Sequence, residues 1–98
     1  MANATRRQIE IHVRNREAYT AASSHAEVHP SYVTQGRLNN EEYTDLHNAA
    51  DEGTLFYLVY SYYTPIAWVV NGQAHVTEQR FSPTTSQHQY ICRDGLGL

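Results

Sequence analysis

The chain has 98 residues, 41% of them hydrophobic, and a formal net charge of −3. That length and apolar content fit one folded domain and exclude a disordered or multidomain chain. Cys92 is the single cysteine, so no intramolecular disulfide forms; with no apolar signal core and no apolar run of membrane-spanning length, a cytosolic protein without membrane contact is expected.

The first element reads two ways. Asn3 to Gln8 resembles a helix start, with Thr5 and Gln8 at capping-box spacing and Ile9 and Val13 on one helical face. Ile9, Ile11 and Val13 also alternate with polar residues, as in a strand. The start signal and the poor β-formers from Asn15 to Ala18 decide for a helix over roughly residues 4–17. It carries Arg6, Arg7, Arg14 and Arg16 against Glu10. Four arginines on a terminal segment could touch nucleic acid, but a solvated face is the plainer reading. All basic residues in the chain are arginine, as a GC-rich genome would produce.

Residues 18–38 are small and polar, and predict a short edge strand followed by a loop punctuated by Pro30 and Gly36. Asn39 caps a second helix over residues 39–52, with Glu42 three positions on. Tyr43, Leu46, His47 and Ala50 form its stripe, and Gly53 stops it. From Glu17 to Glu52 seven acids face Arg37 alone. That balance argues against phosphate-backbone binding by this region.

Leu55 to Tyr62 predicts a central strand, with Leu55, Tyr57 and Val59 on one face and Phe56, Leu58 and Tyr60 on the other. Thr64-Pro65 breaks it, and Ile66 to Val70 forms the next strand. Asn71-Gly72 predicts a two-residue type I′ hairpin that pairs Val70 with Gln73, Val69 with Ala74, Trp68 with His75 and Ala67 with Val76. The face with Ala67, Val69, Ala74 and Val76 suits a closely packed helix. The opposite face holds Trp68 and His75 with Ile66, Val70, Gln73 and Thr77, and is a candidate for exposure or a homodimer interface. A last helix starts near Ser82, with Thr84, Thr85 and Ser86 as candidate caps. Tyr90 and Ile91 anchor it, and Gly95 stops it after Asp94. The fold expected is α+β: a three- or four-stranded antiparallel sheet, a meander containing the Asn71-Gly72 hairpin, packed with two or three helices.

No arrangement of residues spells out catalysis. The six histidines lack a metal-ligand pattern, and no metal or cofactor is expected. Ser86, His88 and Asp94 are triad residue types crowded on one helix, without a nucleophile elbow. The chain has eight tyrosines. Tyr57 and Tyr60 read as core, while Tyr62 and Tyr63, near the turn, fit core or a binding surface equally.

The run Val59 to Trp68 (VYSYYTPIAW) and the run Arg80 to Gln89 (RFSPTTSQHQ) together resemble a family of small, uncharacterised bacteriophage proteins, mainly from phages of actinobacteria. The likeness covers residues 55–89 well. It implies an origin and a host cytoplasm, and carries no established activity. The two motifs place Tyr60, Ser61, Tyr62, Tyr63 and Thr64 near Thr84, Thr85, Ser86 and His88. A structural network of hydroxyl caps is the plainer reading, and an anion- or nucleotide-sized pocket the functional one. Those nine residues with Trp68 and His75 are the candidate binding residues. The function expected is a non-enzymatic phage accessory protein that binds a host protein, such as a nucleic-acid-binding defence enzyme. The alternatives are a nucleotide sponge and a minor virion or DNA-associated protein.

Overall fold

The computed structural model describes residues 4–98. Its one sheet is an antiparallel meander in chain order: β1 (Tyr19–Thr20), β2 (Ser24–Val28), β3 (Leu55–Ser61), β4 (Thr64–Val70) and β5 (Gln73–Val76). It has five strands where three or four were expected. The difference lies in the polar stretch 18–38, where a tight turn (Ala21 N–H to Ser24 O, 2.8 Å) folds the expected single edge strand into two. β2 is internal, paired along its length with β3. β1 is the edge strand, and Ala4 N–H donates to Thr20 O at 3.0 Å.

Helix α1 (Arg6–Arg14) opens with the expected capping box, Thr5 and Gln8 serving each other's backbone N–H. The helical period wins over the alternating one: Ile9 and Val13 are buried, while Ile11 is exposed. The helix ends at Asn15, short of the expected Glu17, because Arg16 turns to φ 55°. Helix α2 (Asn40–Glu52) is capped by Asn39 and closed by Gly53 at φ 74°. Its buried stripe is Leu46 and Ala49, with Tyr43 and Ala50 half-buried. His47, expected on that stripe, faces solvent beside Asp51.

Helix α3 (Pro83–Leu96) starts from Ser82, with Pro83 in its first turn, where no N–H is missed. Ser86 is exposed and does not cap; Tyr90 is exposed too, and Ile91 and Cys92 anchor the helix. Gly95 does not stop it. The helix runs on to Gly97, at φ 76°. Gly95 instead lets α1 and α3 touch: a Cβ there would lie 2.8 Å from Val13 Cγ1.

The sheet has a core on each side. α1 and α3 cover Tyr57, Val59, Ala67, Val69 and Val76, so the small-residue face does receive closely packed helices. α2 and the residues Val33 and Leu38 cover Leu55, Leu58, Tyr60 and Trp68. All four predicted hairpin pairs of β4 and β5 are present, and Asn71 and Gly72 both have positive φ.

Two register shifts change the expected faces. Leu55 pairs with Val70 and Tyr57 with Val69, so Phe56 is the extra residue of a bulge. Leu55 therefore joins Leu58 and Tyr60, and Phe56 is exposed against the edge of His29. A second shift leaves Ile66 unpaired between Pro65 and Ala67 and sends it to the α1/α3 core. Pro65 does not break the strand: it sits at this irregular step, where its missing N–H disturbs the ladder least. The β3–β4 turn falls two residues earlier than expected, at Tyr62-Tyr63. Among the described residues no helix is long and apolar enough to cross a membrane.

Candidate functional site

Ser61 ends β3, and Thr85 and His88 lie in the first turns of α3. Strand end and helix start meet, as the two motifs suggested. Ser61 Oγ lies 2.9 Å from Thr85 Oγ1 and 2.8 Å from His88 Nδ1. Ser82 Oγ accepts from Thr85 N–H and donates to Thr85 Oγ1. Each hydroxyl has one proton to give. Counting from Ser82, the order that gives every hydroxyl proton an acceptor runs Ser82 to Thr85, Thr85 to Ser61, and Ser61 to the lone pair of His88 Nδ1. His88 is then neutral, with its proton on Nε2. Burial agrees, pushing His88 below the ordinary histidine pKa.

A serine–histidine contact of this length is the geometry of a nucleophile and its base. Here Ser61 is 1% exposed, and both its hydrogen-bonding directions are taken. The hydroxyl is a strut joining sheet to helix. Thr84 and Ser86, on the same turn, are exposed and enter no side-chain bond of this network. Burial pushes the Cys92 thiol up to about 12, as suits a core side chain.

The strut lies directly below the hairpin tip. Tyr62 is 52% exposed and Tyr63 76% exposed. Tyr62 has φ 56° and donates its N–H to Ser23 O at 2.7 Å. Tyr60, one step inside the strand, is core: 2% exposed, its hydroxyl accepting from Thr34 N–H and its ring stacked on His25 at 4.6 Å. Tyr57 is core as well, donating its hydroxyl to Glu17 O at 2.8 Å. Two cavities adjoin the tip. One, of about 830 Å³, has small residues such as Ala21, Ala22 and Ser23 in its wall and is flanked by Tyr62, Tyr63, His12 and His25. The other, of about 290 Å³, has Arg37, Thr64 and Phe81 in its wall.

Arg37 was invisible as a site residue because it lies far from either motif in the chain. The signal was Gly36. Its φ is 55°, and a Cβ there would lie 2.3 Å from Tyr63 O and 2.5 Å from Thr64 Oγ1. Glycine alone lets this loop press on the hairpin. The contact delivers Arg37 N–H to Thr64 Oγ1 at 2.9 Å.

Trp68 and His75 do not join this site. They face each other across β4 and β5, ring centroids 4.9 Å apart. α2 covers Trp68, which is 8% exposed, whereas His75 stays exposed with its Nε2 3.1 Å from Glu42 Oε2. The face expected to be exposed or to meet a second copy is thus covered at Trp68 and Thr77 and exposed at His75 and Gln73. Burial raises the Glu42 pKa, but bonds from Thr77, Asn39 and His75 outweigh it and hold the carboxyl below its usual range. Among the described residues no three His, Cys, Asp or Glu side chains converge as a metal site.

Residues 7–94 match the model of a family described as a family of unknown function, DUF8033. The chain belongs to that family. No curated protein and no solved structure matches it.

Proposed function

We propose that this chain is a small non-enzymatic binding protein that docks on a partner protein through the Tyr62–Tyr63 tip. The observation that carries this reading is the backbone of Tyr62. A bulky residue in the left-handed region costs about 1–2 kcal/mol, which glycine would avoid. Burial does not offset that cost, since the side chain is half exposed. A strained residue at a surface tip points to function.

The surroundings fit a docking role. Tyrosine brings large, rigid contact area at little entropic cost, and is enriched in interface cores. The adjoining cavity wall of alanines and serine lets a partner's backbone come close. The Ser61 strut fixes the tip before contact, which lowers the cost of ordering it on binding.

Following the phage resemblance, the partner is a host protein, and the role is host takeover or inhibition of an antiviral defence in the host cytoplasm. Glu41, Asp45, Asp51 and Glu52 are exposed on α2. That acidic helix would steer the chain toward a basic surface, such as that of a nucleic-acid-binding defence enzyme. The test is quantitative capture from host lysate on wild type, Tyr63→Ala and Tyr90→Ala, the last changing an exposed tyrosine away from the tip. A protein held by wild type and Tyr90→Ala but lost on Tyr63→Ala supports the reading. Equal recoveries on all three overturn it.

A further inference from the structure

The smaller cavity at the hairpin tip is built only partly from the hydroxyl strut. Its wall includes Arg37, Tyr62, Thr64, Phe81, Ser82 and Thr85, and no carboxylate. Ser82 and Thr85 have spent their protons within the strut. Thr64 has not. Its Oγ1 accepts from Arg37 N–H, its own proton meets no protein acceptor among the described residues, and the residue is 7% exposed. The Arg37 backbone is tied on both sides, N–H to Thr64 and C=O to Gln79 Nε2 at 2.8 Å. Its guanidinium enters no ion pair or hydrogen bond among the described residues, and arginine stays charged. The Thr64 hydroxyl proton and the Arg37 guanidinium are therefore donors left unspent at this cavity, and its one formal charge is positive.

We propose that this cavity is an oxyanion site, in which the Arg37 guanidinium and the Thr64 hydroxyl hold a phosphoryl or carboxylate group. A guanidinium matches either group with two parallel N–H donors. At about 290 Å³ the cavity is at the small end of ligand pockets, so it takes a single anionic group and the few atoms that carry it. Tyr62 and Phe81 provide apolar surface for those atoms. Glycine at position 36 is what permits the arrangement, because any side chain there would drive Arg37 away from the hairpin. The site does not depend on the first-turn N–H groups of α3, where Ser82 already caps Thr85. Nor does it depend on a protein partner, so it stands or falls separately from the docking reading.

The test is a titration of the isotope-labelled full chain with inorganic phosphate and, separately, with acetate, followed by amide chemical shifts. Saturable shifts centred on Arg37, Thr64 and Tyr62 are expected, with affinity at least ten-fold weaker in Arg37→Gln. Saturation by phosphate alone assigns the site to phosphoryl groups, and saturation by acetate alone to carboxylates. Arg37 is exposed, so the variant should keep the wild-type spectrum elsewhere. Absence of saturable shifts with both anions overturns the proposal. So do shifts that persist unchanged in Arg37→Gln.

Discussion

Ser61 Oγ lies 2.8 Å from Nδ1 of His88, a residue 27 positions further along the chain. This bond ties the end of β3 to α3 immediately beneath the tyrosine tip. Removing the Ser61 hydroxyl leaves the Thr85 proton and the His88 lone pair without partners. Ser61→Ala should therefore destabilise the fold by about 1–3 kcal/mol. Urea denaturation measures it, and an unchanged midpoint would show the strut to be energetically idle.

The burial of His88 makes stability depend on pH. Burial holds His88 below its ordinary pKa, so the unfolded chain takes up a proton near pH ~6.5 and the folded chain only at lower pH. Between those values the unfolded state binds more protons, and stability rises with pH. The His88 contribution is complete above the unfolded pKa and is lost as pH falls through the folded one. Glu42, also held low, adds a second loss at more acidic pH. His88→Asn offers Ser61 an acceptor that does not titrate. It should flatten the first loss and leave the second, as read from denaturation midpoints across pH.

The elements that were legible in the chain are those whose signals are local. The capping box at Thr5 and Gln8, the cap at Asn39 and the Asn71-Gly72 turn each act within a few residues, and each stands where its sequence puts it. The bulges were not legible, because a register shift depends on which strand lies alongside. Phe56 shows the consequence: alternation placed it in a core, and the bulge puts it outside. In the site, the two motifs indicated the Ser61–Thr85 contact, whereas Arg37 reaches it only through a tertiary loop contact. Phe56→Ala should thus cost less than about 1 kcal/mol, while Leu58→Ala, at a fully buried neighbour, should cost about 2–5 kcal/mol. Equal losses would mean that Phe56 is core after all.

Tyr62 separates stability from binding. Glycine at this position relieves left-handed strain of about 1–2 kcal/mol but frees the unfolded chain at a cost of about 0.5–1 kcal/mol, so the two largely offset. Tyr62→Gly should leave the melting temperature close to that of wild type and weaken partner capture. A large fall in melting temperature would show that the tyrosine is there for the fold.

Gly95 is the contact point of α1 and α3. A Cβ there would stand 2.8 Å from Val13 Cγ1 and 3.0 Å from Val13 Cβ, closer than side chains tolerate, and Val13 is fully buried. Gly95→Ala gains helix propensity of about 1 kcal/mol, yet the clash should outweigh it by about 1–3 kcal/mol. Val13→Ala removes the nearest clashing atom, the Cγ1 methyl, and keeps the 3.0 Å approach of its Cβ. In that background Gly95→Ala should cost markedly less, or even stabilise. A double-mutant cycle measures the coupling, because only residues in contact deviate from additivity by more than about 0.5 kcal/mol. Strict additivity would mean that the two helices sit further apart than this packing requires.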